Sequence, residues 1–147
     1  MKLLIINGPN LNFLGIRDRA VYGTTDYQGL LDLIHAHAEE IGAEAECFQS
    51  NSEGAIIDRI QAAWSDGTEG IVINPGAYTH YSYALRDAIA SVSTPVVEVH
   101  LSKVMERESF RHISVTKEVC IDQISGFGFD SYVMGMAKIL EVLQKKS

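Results

Sequence analysis

Apolar residues fall along the chain in two alternating rhythms. Lys2-Leu3-Leu4-Ile5-Ile6-Asn7, Gly70-Ile71-Val72-Ile73-Asn74 and Val96 to His100 are short, nearly continuous runs, the pattern of strands buried on both faces. Ala45 to Phe48 and Val119 to Ile124 give weaker versions of the same pattern. Between these runs the apolar spacing changes to three and four residues, which predicts helices. Leu30, Leu31, Ile34, Ala38 and Ile41 mark the first helical face, starting near Thr25, where Thr25 and Gln28 have capping-box spacing, and stopping at Gly42. Ile56, Ile57, Ile60 and Trp64 mark the second, opened by the turn-rich Gln49-Ser50-Asn51-Ser52 and closed by Asp66-Gly67. Ala84, Leu85, Ala88, Ile89 and Val92 form the third. Gly126-Phe127-Gly128 leads into a last helix with Val133, Met136, Ala137, Leu140 and Leu143 inward, its Asp130 start and Lys145-Lys146 end suiting the macrodipole.

Five strands and four or five helices in strict alternation specify a parallel sheet covered on both faces. With right-handed crossovers the commonest arrangement is flavodoxin-like, strand order 2-1-3-4-5. Ligands then bind beyond the carboxyl ends of the strands, where the loops leaving strands 1, 3 and 4 converge.

Composition narrows this picture without changing it. The 147 residues fit one domain spanning 1–147, and 21% charged residues do not suggest disorder. A net charge of -7 argues against nucleic acid as a partner, although Arg107, Arg111 and His112 make a local basic cluster. Cys47 and Cys120 form no CxxC and read as reduced, strand-borne small apolar residues. The chain opens directly on a strand and has no apolar run near 18 residues, so neither a signal peptide nor a membrane span is expected and the expected location is cytoplasmic.

The most unusual stretch is Gly8 to Gly23. It is about sixteen aperiodic residues between a strand and a helix, where about 2–6 are usual. It carries Asn10, Asn12, Arg17, Arg19 and Tyr22 between glycines, a composition that suits a lid better than a solvated linker. The loop after strand 3, Asn74-Pro75-Gly76-Ala77-Tyr78-Thr79-His80, could be a structural turn or could present Asn74 and His80 to a ligand. Alternation places Glu98 and His100 on one side of strand 4. A carboxylate in a central strand needs a partner, and a histidine held by one has a fixed tautomer suited to a general acid. A satisfied core pair is the competing explanation, and no third ligand stands at metal-binding spacing. For Tyr22 to act as a base near neutrality, its ionisation must be eased by two pKa units or more, roughly 2.7 kcal/mol. A guanidinium about 4 Å away, such as that of Arg17, would supply on the order of 4 kcal/mol at an effective dielectric of 20. A buried structural tyrosine fits the sequence equally well.

Taken together these segments resemble type II 3-dehydroquinate dehydratase, the small dehydratase family of the shikimate pathway, over nearly the whole chain. The resemblance rests on Asn7-Gly8-Pro9-Asn10-Leu11-Asn12, Arg17 through Tyr22-Gly23, Gln49-Ser50-Asn51-Ser52-Glu53-Gly54 and Asn74 through His80. Ala84-Leu85-Arg86-Asp87, Glu98-Val99-His100-Leu101-Ser102 and Phe110-Arg111-His112 continue it. It implies that Tyr22 removes a proton beside the substrate ketone, that Arg17 favours its phenolate, and that Asn10 holds a water stabilising the enolate. It makes His100, supported by Glu98, the acid that protonates the departing hydroxyl. Asn74, Gly76, His80 and Arg111 match substrate-binding positions, Leu101 and Ser102 match the carboxylate site, and Asp87 matches an acid reaching a neighbouring subunit. The family implies no cofactor or metal, and trimers assembling into a dodecamer.

Arg19, Lys103 and Ser131 stand where the family more often has proline, asparagine and glycine. None removes a proposed catalytic group, and Lys103 adds a positive charge beside the carboxylate position. The rivals are poorer. A receiver domain needs acidic residues where Asn7 and Asn74 stand, Gly8-Pro9-Asn10-Leu11 is a poor flavin phosphate loop, and neither GxGxxG nor a Walker pattern occurs.

Overall fold

The computed structural model describes residues 1–16 and 26–146. Strands β1 (Lys2–Asn7), β2 (Glu44–Gln49), β3 (Gly70–Asn74), β4 (Val96–His100) and β5 (Asp122–Ser125) alternate with helices α1 (Tyr27–Glu40), α2 (Glu53–Ala63), α3 (Tyr83–Ser91) and α4 (Asp130–Lys145). All strand pairs are parallel and the order is β2-β1-β3-β4-β5, the flavodoxin-like arrangement expected from the alternation. Register aligns Asn7 with Asn74 and His100 with Ser125, so the polar strand ends share one edge of the sheet.

Period-two alternation divides the core. Leu3, Ile5, Val72, Val97 and Val99 pack under α1 and α4, whereas Leu4, Ile6, Ile71, Ile73 and Val96 pack under α2 and α3. Three of the four helices start on a side-chain cap. Asp26 caps α1 by accepting from the Gly29 N–H at 2.9 Å, in place of the expected start near Thr25, which lies outside the described residues. Ser52 caps α2 and Ser82 caps α3, and the Ser82 hydroxyl also donates to Glu53, tying the two helix starts together.

Three expectations change. Trp64 is 70% exposed, because α2 ends at Ala63 and that small residue takes the inward place after Ile56 and Ile60. The buried face of α4 is Tyr132, Gly135, Met136 and Ile139, with Ala137 exposed, a rotation of about one residue from the expected stripe. Close approach explains it: a Cβ on Gly135 would meet Val99 at 3.0 Å and Val72 at 3.2 Å, so the helix seats its glycine against the sheet. Finally, β5 begins at Asp122, after a 3-10 turn over Lys117–Val119, so Cys120 precedes the strand, whereas Cys47 lies on β2. Both cysteines are free; burial pushes the Cys47 thiol up to about 11 and raises Cys120 further, which suits small apolar packing. No helix among the described residues is long and apolar enough to cross a membrane.

Candidate active site

At the carboxyl edge of the sheet two loops interlock. The Gly8 N–H donates to the Asn74 carbonyl at 2.8 Å, and a Cβ on Gly8 would stand 2.5 Å from the Pro75 oxygen. Gly76 takes φ +60° against Pro9. Only glycine allows both approaches. Below them, the Tyr132 hydroxyl donates to Asn7 Oδ1 at 2.5 Å and accepts from Asn74 Nδ2 at 2.9 Å, while Asn74 Oδ1 accepts from the Gly76 N–H at 3.1 Å. The Asn74 side chain is thereby fixed in place by β1, α4 and its own loop.

These loops and the one after β4 enclose a cavity of about 130 Å³ lined by Asn10, Asn74, Gly76, His80, His100, Leu101, Ser102 and Arg111, with Arg107, Pro9, Leu11, Phe13, Leu14, Ala77 and Val104. Most of the residues expected at the site therefore meet in one place. A second cavity, of about 150 Å³, shares His80, His100, Val104 and Arg111 with the first and extends to Ser114, Lys117 and Gln123. Asp87 lies exposed on α3 and lines neither. Arg17, Arg19 and Tyr22 lie outside the described residues. Among the described residues, no three His, Cys, Asp or Glu side chains group closely enough to hold a metal ion.

Glu98 and His100 form the centre. Glu98 is fully buried and its Oε2 lies 2.8 Å from His100 Nε2. The carboxylate also accepts from Thr79 Oγ1 and Ser114 Oγ, each at 3.0 Å, from Gln123 Nε2 at 2.5 Å and from the Thr116 hydroxyl. Burial alone would raise its pKa, but the bond to His100 and its charge, with Thr116 and Gln123, hold it down at about 2. An anion there requires that His100 Nε2 carry a proton, so Nδ1 is the nitrogen left to exchange one with a bound molecule.

His80 is set in the opposite sense. Its Nδ1 lies 2.7 Å from the Ile113 carbonyl, which can only accept, so Nδ1–H is the protonated nitrogen and Nε2 an acceptor. Burial lowers its pKa, opposed by the bond to Ile113 and reinforced by the neighbouring His100 and Arg111 charges. Arg111 is held by Glu108 at 2.8 Å and lies over the Phe110 ring at 4.7 Å. Arg107 donates to Ser102 Oγ at 3.4 Å. The cavity thus combines two guanidinium groups, a neutral histidine and a histidine backed by a buried anion, a set suited to an anionic, hydroxyl-bearing molecule undergoing proton transfer.

Sequence reasoning missed the hydroxyl cluster of Thr79, Ser114 and Thr116 around Glu98, and Gln123. One cue was present for Gln123: it stands on the neighbouring strand in register with Glu98.

The depressed Glu98 pKa carries a stability consequence. Its carboxylate stabilises the fold fully above the ordinary 4.5 and ceases to do so as pH falls toward about 2. Between about pH 6 and about pH 3, urea unfolding at fixed protein concentration should show the wild type losing on the order of 2 kcal/mol more than Glu98→Gln. Equal losses would exclude Glu98 as the source.

Residues 1–140 match the family Dehydroquinase class II. The chain is 57% identical, over 97% of its length and 98% of the relative's, to 3-dehydroquinate dehydratase from Lachnoclostridium phytofermentans, and 56% identical, over 98% of each, to that from Bacillus mycoides. The crystal structure of type II dehydroquinase from Butyrivibrio crossotus superposes with a TM-score of 0.93 at 58% identity, covering 95% of this chain and 97% of that one. The Propionibacterium acnes type II dehydroquinase gives 0.90 at 36% identity, covering 94% of each. Sequence, strand order and the convergence of loops at one edge agree: the chain belongs to the class II dehydroquinase family.

Proposed function

We propose that this protein is an enzyme that removes water from 3-dehydroquinate to give 3-dehydroshikimate through an enolate. The observation that carries the reading is the buried Glu98–His100 pair, whose histidine lines a cavity with two arginines. In this reaction Tyr22, as phenolate favoured by Arg17, takes the proton beside the ketone and the bonding pair becomes the enolate. Asn10 stabilises that charge through a water. As the enolate collapses, the C–O bond breaks and the leaving hydroxyl takes the proton from His100 Nδ1, departing as water. His80 Nε2 accepts from a ring hydroxyl, Asn74 and Arg111 donate to ring oxygens beside Gly76, and the Leu101–Ser102 segment receives the carboxylate. No step calls for a cofactor or metal. Incubation with 3-dehydroquinate should produce the absorbance of the conjugated enone product, and no rise in absorbance would overturn the reading.

Asp87, exposed and lining neither cavity of its own chain, fits a role in a neighbouring subunit of a trimer, four of which make a dodecamer in the cytoplasm. Sedimentation should show an assembly divisible by three. Asp87→Ala should lower kcat/KM about tenfold, the scale of one charged hydrogen bond. A fully active monomer would contradict both.

A further inference from the structure

Among the described residues, Asn10 alone is a non-glycine residue with positive φ, at φ 70° and ψ -4°. Asparagine tolerates this left-handed region better than most side chains, but a residue held there still needs its surroundings to fix it. Asn10 precedes a 3-10 turn over Leu11–Phe13, and its side chain makes no capping bond to that turn. The restraint comes instead from the end of β2 and the loop that follows it. The Asn10 N–H donates to Asn51 Oδ1 at 3.0 Å. Gln49 Nε2 donates to the same oxygen at 3.2 Å and to the Gly8 carbonyl at 3.1 Å. The Asn51 carbonyl accepts from the Tyr78 hydroxyl at 2.6 Å, in the turn that ends at His80.

The loop after β2 lines neither cavity, yet it braces both loops that do. Asn51 is exposed, and substitutions at such positions usually change stability by no more than about 0.5 kcal/mol. These bonds therefore set local geometry far more than they hold the fold together. Local geometry is what a residue facing developing charge requires, since a misplacement of about 1 Å can cost about a hundredfold in rate.

We propose that Gln49 and Asn51 are positioning residues that hold the Asn10 backbone in its left-handed conformation, so that its side chain meets the charge developing on the substrate. Tyr78 ties the same brace to the loop of His80. The inference rests on the role given to Asn10 in the proposed function.

Asn51→Ala removes the acceptor and keeps the carbonyl that Tyr78 uses. It should lower kcat by about ten- to a hundredfold and change KM less than about threefold, because Asn10 acts on charge present only in the transition state. In an Asn10→Ala background the same substitution should change kcat by less than about twofold, since the residue it positions is gone. Hydrogen exchange at the Asn10 amide should quicken in Asn51→Ala and stay slow in Asn51→Asp, which retains the acceptor. Equal losses of kcat in both backgrounds, or unchanged exchange, overturn the brace. An Asn10→Ala enzyme with unaltered kcat overturns the catalytic role of Asn10 and the catalytic part of this inference with it. The exchange measurement distinguishes that failure from failure of the brace.

Discussion

His100→Ala should fold, bind ligand and lose about 10²–10⁴ in kcat, the range that a positioned general acid contributes. The fold should survive because Glu98 keeps the hydrogen bonds of Thr79, Ser114, Thr116 and Gln123 when the imidazole is removed. Catalysis should not, because among the described residues no other group lining the cavity can replace it. His80 has its one proton bonded to the Ile113 carbonyl and its pKa lowered, so it accepts where an acid must donate. The arginines remain charged throughout and supply field rather than protons. The limb of the pH–rate profile reporting the acid should disappear together with the rate. Turnover within about tenfold of wild type would remove His100 from the acid role.

The parts of this arrangement legible in the sequence are those that depend on periodicity and on the cost of burying charge. Short β-branched and leucine runs such as Leu3 to Ile6 and Ile71 to Ile73 read as buried strands, and their alternation with helical spacing points to the commonest five-stranded topology. Glu98 and His100 could be paired because two polar residues at i and i+2 of a central strand must share a side and satisfy each other. The hydroxyl cluster was not legible: Thr79 and Thr116 are 37 residues apart and meet only when two irregular loops fold over β4. The phase of α4 departs from its hydropathy stripe for a related reason. Tyr132 turns inward to bridge Asn7 and Asn74, and Gly135 allows close seating on the sheet, whereas hydropathy favours Val133 and Leu140. Trp64 shows that the residue just past a helix's end need not follow its stripe.

Tyr22→Phe should reduce turnover by about 10²–10⁴ while leaving ligand affinity within about threefold, because it removes the ionisable oxygen and keeps the ring. The surroundings of the described cavity make a phenolate base reasonable in a chain of net charge -7. Arg107 and Arg111 both line that cavity, its His80 is neutral, Glu98 behind His100 is buried and bonded by His100 and four other donors, and the Glu108 carboxylate that pairs with Arg111 is largely exposed to water. The local field is therefore positive. A tyrosine entering it needs about 2.7 kcal/mol to ionise near neutrality, and one guanidinium at about 4 Å supplies on the order of 4 kcal/mol at an effective dielectric of 20. Arg17 is assigned that place. Arg17→Lys keeps a charge but loses the planar fork, so it should lower kcat by about tenfold or more and shift the basic limb of catalysis toward higher pH. Near-normal turnover in Tyr22→Phe would sink the assignment of the base. An unchanged rate and pH profile in Arg17→Lys would leave the base standing and show that Arg107 and Arg111 tune it without Arg17.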